Sequence, residues 1–348
     1  MTEAFVSARP SLHLDGERDA NLQDALTNLV VNLPLNGMGH AELTLNNWGL
    51  GQDRQDPDQV FQELGLGRQV EIYMTPDDEP VRIFAGEVTA IEERYGQGAP
   101  QLSLLLQDGL HRLARTRNSR VFEDVSPDDV VQIIAGEFGL TADVNVSAMS
   151  ATYHQVNESD LAFLFRLLGR FDIGVRLLDE RLRARPEEQD PEPLHLDAQD
   201  NALRVRLLAD LNHQPLSVQV LGFNTGTDEA ADGSADALSQ AAGGTTAAAT
   251  LGELGWPGEE VIAQPFARSQ AEADGFARGH FDRHAKRFIS GDIRCGGEPR
   301  LRSGREIELA GVSERLRGTY QVVHAVHRFD GLAGYQTHIK VQRPDWQV

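Results

Sequence analysis

Two histidines, His280 and His284, stand four residues apart in a stretch that reads as a helix over 269–288. That spacing puts two imidazoles on one helical face, as a zinc site needs. The metalloprotease signature also requires a glutamate directly after the first histidine, and Phe281 stands there. The pair therefore reads as an ordinary polar helix face. His324 and His327 are an odd number apart in a β-type run, so they point to opposite faces. His327 falls on the side of Val323, Ala325 and Phe329 and reads as a packed, hydrogen-bonded histidine. His338 alternates with Thr337 and Ile339 in the last run, and no motif unites the three histidines. Cys295 lies in a Gly-rich turn with no adjacent histidine to activate it. Gly65-Leu-Gly67 begins like a dinucleotide fingerprint, but Val70 stands where the third glycine is needed, in a β context. No nucleophile elbow or phosphate loop occurs, and nothing singles out an acid–base pair among 53 carboxylates. The expectation is a non-enzyme with no catalytic, cofactor-binding or metal-ligating residue.

The 348 residues suffice for two or three cores. The lone cysteine excludes an internal disulfide, and no apolar run approaches the roughly 18 residues that span a bilayer. The first ten residues lack the basic start and apolar run of a secretory signal, so synthesis in the cytoplasm is expected. The net charge of −21 argues against stable nucleic-acid binding. Residues 265–348 hold 14 basic and 10 acidic side chains, a net of +4, which leaves −25 on the first 264. Such asymmetry can orient assembly with a charged neighbour or merely aid solubility. All basic residues except Lys286 and Lys340 are arginine.

The elements that carry these residues alternate between β and α+β styles. Residues 11–115 read as about six strands. Ala41, Leu43 and Leu45 alternate with Glu42, Thr44 and Asn46 after the Asn36-Gly-Met-Gly turn, and further turns are expected at 76–79 and 95–98. Ser126-Pro-Asp-Asp starts a helix with Val130, Val131, Ile133 and Ile134 as its apolar stripe. Asn157-Glu-Ser-Asp starts another, with Leu161, Leu164, Phe165 and Leu168. β patterning resumes at 194–223. Residues 224–260 are rich in Ala, Gly, Thr, Ser and Asp and read as a flexible insertion, with a weak helix conceivable at 235–240. The 269–288 helix follows, with Phe276, Phe281 and Phe288 buried, and then the closing strands. The expected units are a first β-barrel (1–115), an α+β domain (116–185), the start of a second barrel (186–223), the insertion (224–260), a helix packing on the α+β domain (261–290) and the rest of the second barrel (291–348). The class is mainly β with α+β insertions, and the two β sections hint at an internal duplication.

Several motifs, in order, carry a family resemblance. They are Leu110-His-Arg-Leu-Ala-Arg, Val125-Ser-Pro-Asp-Asp-Val-Val, Gln155-Val-Asn-Glu-Ser-Asp-Leu, Gly304-Arg-Glu-Ile-Glu-Leu, Gly318-Thr-Tyr-Gln-Val-Val-His-Ala-Val-His and Gly334-Tyr-Gln-Thr. With them the chain resembles the phage late control protein D family and the hub part of VgrG, over roughly 10–343. The resemblance implies a structural baseplate hub of a contractile injection machine. Three chains, each with two similar antiparallel barrels, would form a pseudo-sixfold ring that adapts a sixfold tail tube to a threefold spike. It implies the partners too: further copies of this chain, a tail-tube or tube-initiator protein, baseplate wedge proteins and a spike on a separate chain, since VgrG continues into its spike and this sequence stops at Val348. An acidic lumen that lets DNA slide is a further expectation. Gly304, Gly318, Tyr320, His327, Gly334 and Tyr335 become the structural and assembly candidates. The alternatives are a tail-associated cell-wall hydrolase and a stand-alone β adaptor or carbohydrate-binding module.

Overall fold

The computed structural model describes residues 9–49, 59–62, 64–75, 79–96, 98–146 and 150–347. Residues 1–8 and parts of the turns expected at 76–79 and 95–98 lie outside that set. Strands take 48% of the chain and helices 19%, so the class is mainly β.

The first β half is an antiparallel series. Leu26–Pro34 pairs with His40–Asn46, which pairs with Gln101–Gln107, then Val81–Arg94, Gln69–Met74 and Ser11–Leu14. Alternation drives the arrangement: Ala41, Leu43 and Leu45 turn inward with Leu29, Val31, Val70, Ile72, Leu102, Leu104 and Leu106 into one core. The second half is built alike from Ala202–Ala209, Ile289–Gly296, Gly334–Arg343 and Gly318–Asp330. Glu306–Ala310 and Leu194–Asp197 extend it, the latter in parallel. Its core, around Ile293, Ile307, Leu309, Tyr320, Val322, Ile339 and Val341, is separate. Strand Gly318–Asp330 pairs with Leu26–Pro34, from His324 opposite Pro34 to Asp330 opposite Asn28, and fuses the halves into one 13-stranded sheet. Among the described residues no ladder closes either half into a full ring.

The α+β unit follows the first half. Ser126 caps helix Pro127–Glu137 in a reciprocal box with Asp129, with proline at the first helical position. Ser159 caps helix Asp160–Leu168. Both helices cover the ribbon of Arg117–Val125 and Ala151–Ser159, and Val130, Val131, Ile134, Leu161, Phe163, Leu164 and Leu167 are buried. Ile133 is exposed instead of buried, because it lies off the inward stripe, and Phe165 is only partly buried.

The stretch expected as a flexible insertion carries regular structure. Glu229–Ala235 and Glu259–Ala267 flank Ser217–Asn224 in a three-stranded sheet, and Thr246 caps helix Ala247–Leu254. Residues 235–240 form no helix. What replaces large apolar side chains is close approach: a Cβ on Gly233 would sit on the backbone of Ala273, in helix Gln270–Ala285. That helix, capped by Ser269, buries Phe276 and Phe281 between this sheet and the α+β unit, whereas Phe288 lies beyond its end in the core of the second half. A Cβ on Gly279 would strike Arg170 and Phe171, so glycine sets how closely the helix meets the α+β unit.

Candidate assembly surfaces

The six residues singled out by sequence do not converge on one site. They occupy three locks that hold the second half to its neighbours. Gly304 (φ +88) donates its N–H to the Val322 carbonyl at 2.8 Å. A Cβ there would overlap Arg176 Nη2 and lie 2.7 Å from Glu187 Oε2. Arg176 and Glu187 form a bidentate pair at 2.6 and 2.8 Å, with side chains only 6% and 13% exposed. This buried pair joins strand Arg176–Leu178 of the α+β unit to the second half.

Gly318 (φ +135) makes room for Arg343. The Arg343 guanidinium donates to the Arg317 carbonyl and to Asp345 Oδ1, both at 2.7 Å, and lies over the fully buried Tyr320 ring. The second oxygen of Asp345 accepts from Gly244 N–H at 2.6 Å and ties the 224–260 stretch down. Tyr320 donates to the Leu316 carbonyl at 2.6 Å, and burial raises its pKa.

The third lock lies near the seam between the halves. His327 is fully buried and its Nδ1 meets Tyr335 Oη at 2.8 Å. Thr337 Oγ1 bridges to the Glu298 backbone. Burial pushes the His327 pKa down to about 4 and that of Tyr335 well above the usual phenol value, so both are neutral at physiological pH. Gly297 lets the Tyr335 ring in, since a Cβ there would collide with it. Gly334 (φ +71) closes the hairpin above, where Asp330 Oδ1 accepts from the Leu332 and Ala333 N–H groups at 2.8 and 2.6 Å. A bulge at Val322/His324 sets the register. Val322 is therefore the buried neighbour of His327's face, and Val323 is not.

The other candidates resolve separately. The His280 and His284 rings stack at 4.6 Å. His280 Nε2 lies 3.0 Å from Glu260, and His284 Nδ1 lies 3.2 Å from the His213 carbonyl oxygen. Among the described residues no group of three or more potential ligands is placed to hold a metal. His338 is half-buried opposite Val326, on the side of the sheet away from His327. Cys295 is buried, its thiol pushed up to about 12 by burial. Gly65 and Gly67 precede strand Gln69–Met74 with no helix following.

Sequence reading missed Asp108. It caps the 3₁₀ turn Gly109–Ala114 where the first half passes into the α+β unit, accepting from Gly39 N–H at 2.6 Å and Leu110 N–H at 3.0 Å. Burial raises its pKa to about 6. The available signal was an Asx-type cap ahead of Gly109. A depression of about 470 Å³ lies along Ala202–Ala209 and is lined by Ala202, Leu203, Arg204, Val205, Leu207 and Leu316 among others. Arg204 is its one charged side chain. No helix among the described residues is long and apolar enough to cross a membrane.

Two β halves fused edge to edge, with an α+β unit held by the buried Arg176–Glu187 pair, make a scaffold without a convergent site among the described residues. Known proteins share this fold. The fold matches a 43 kDa tail protein of prophage MuSo2 from Shewanella oneidensis, with TM-score 0.72, 14% identity, and coverage of 97% of this chain and 98% of that one. It matches a tail protein from Neisseria meningitidis MC58, with TM-score 0.65, 12% identity, and 98% and 99% covered. A type VI secretion component from E. coli, described as structurally similar to T4 tail proteins gp27 and gp5, matches with TM-score 0.62, 12% identity, and 95% and 76% covered. A search of curated protein sequences finds no match. The profile of the phage tail baseplate hub (GPD) family matches residues 35–332, and the chain belongs to that family. It is a structural hub component of a phage-tail-like injection machine.

Proposed function

We propose that three copies of this chain form a ring in which six similar β halves face a sixfold tail tube while the threefold repeat seats a central spike. The observation that carries this reading is the duplicated β half. Each half has its own core, and the ladder from His324 to Asp330 fixes their relative position, so one chain presents two comparable surfaces. The α+β unit decorates the ring, held by the Arg176–Glu187 lock beneath Gly304. Gly318, Tyr320, His327, Gly334 and Tyr335 act by fixing the shape of the second half. The role is structural, not catalytic. In this reading the partners are further copies of the chain, a tail-tube or tube-initiator protein, the spike and baseplate wedge proteins, and the chain works in an assembled particle after synthesis in the cytoplasm.

Sedimentation of the purified chain tests this. Three times 38.3 kDa, about 115 kDa, is the expected mass. A strict monomer even with tube and spike proteins present would overturn the proposal.

A further inference from the structure

The outer face of the second β half is cationic. Register places Arg204 beside Arg294 and Arg294 beside His338. Arg206 and Lys340 flank Asp292, and Lys340 neighbours His324. Arg328 lies further along the same face. Arg204, Arg206, Arg294, Arg328 and Lys340 are all exposed, and among the described residues none has an ion-pair partner. The cations feel one another: His338 is held below its usual pKa by burial, then by Arg328 and Arg294, and His324 by burial, then by Lys340 and His40. Leu203 and Leu208, 59% and 50% exposed, flank the arginines on Ala202–Ala209, whose outer edge has no strand partner among the described residues. An open, uncovered edge of this kind favours association.

A second surface has the opposite character. Residues 207–267 contain eight acidic side chains and no lysine or arginine. Their small sheet buries one face against helix Gln270–Ala285. The other face is bare and presents Leu221, Phe223 and Val261, 41%, 37% and 63% exposed, with exposed Asp232 and Glu259 beside them.

We infer that the acidic outer face of the 217–267 sheet of one copy seats on the cationic face around Arg204, Arg206 and Arg294 of the next. The inference deepens the ring proposed above and rests on it. Both surfaces combine exposed apolar side chains with an excess of one sign of charge, Asp292 being the acidic residue set between Arg206 and Lys340 on the cationic face. Arginine forks suit carboxylate partners. Unlike patches on one chain make a head-to-tail contact, the type that closes into a ring. Mutual repulsion between two chains of net −21 acts over distances that physiological salt screens beyond about 8 Å, while contact pairs survive. The same net charge disfavours nucleic acid as the occupant of the cationic face.

Charge reversal and charge swapping test the pairing. Arg206→Glu/Arg294→Glu and Asp232→Arg/Glu259→Arg alter exposed side chains, and unchanged circular dichroism melts would confirm that each variant folds. Each double variant should weaken self-association about a hundredfold, and the chain carrying all four substitutions should reassociate. If wild type is trimeric and the double variants stay trimeric, the pairing is wrong while the ring stands. If wild type is monomeric, the ring and the pairing fall together. Tight binding of duplex DNA by wild type, lost in Arg206→Glu/Arg294→Glu, would reassign the cationic face to nucleic acid and overturn the inference.

Discussion

Gly304→Ala is the sharpest test of the lock between the α+β unit and the second β half. The backbone at φ +88 costs an L-residue about 1–2 kcal/mol. The new Cβ also overlaps Arg176 Nη2, and that guanidinium is 6% exposed and bidentate to Glu187, so it cannot swing aside without breaking a buried pair. Breaking such a pair costs about 3–5 kcal/mol. The expected loss is therefore about 4–7 kcal/mol in urea-induced unfolding followed by circular dichroism. The control is Arg176→Met/Glu187→Leu, which removes both charges together and should cost little. In that background Gly304→Ala should retain only its backbone penalty, about 1–2 kcal/mol. A loss below about 1 kcal/mol, or the same loss in both backgrounds, would refute the claim that glycine is there to admit the ion pair.

Two further perturbations probe other parts of the scaffold. Asp108 has a folded pKa raised from 3.8 to about 6 by burial, so the folded state holds its proton more tightly. Its stabilising protonation is complete below about pH 4 and is lost as pH rises through 6, a swing of up to about 3 kcal/mol. The stability difference between wild type and Asp108→Asn should therefore shift against wild type from pH 4 to 7, and a constant difference would show that burial does not control this carboxyl. Gly297→Ala drives a Cβ into the Tyr335 ring and should cost about 2–4 kcal/mol through overpacking and the strained hydrogen bond to His327. Thermal melts should show that cost largely absent when Tyr335 is replaced by alanine, and an equal cost in both backgrounds would contradict the assignment.

Much of this was legible in sequence where one residue pattern decides one local outcome. Ala41, Leu43 and Leu45 alternate and are buried, and Ser126-Pro-Asp-Asp caps a helix. Gly304, Gly318 and Gly334 all take positive φ, yet Arg176 and Arg343, which Gly304 and Gly318 admit, come from distant segments and carry no local signal. The 224–260 stretch misled because Ala231, Gly233 and Ala235 pack by closeness, with little apolar area to register as a hydrophobic pattern. The Val322/His324 bulge reverses strand parity, which alternation cannot foresee. The cationic face was hidden because Arg204, Arg294, Arg328 and Lys340 lie on four strands and meet only through register.

Electron microscopy of the purified full-length chain tests the central claim most directly. The account predicts a closed ring of three subunits with six similar β lobes around the axis. Particles with one copy, or a closed assembly without threefold symmetry, would contradict it.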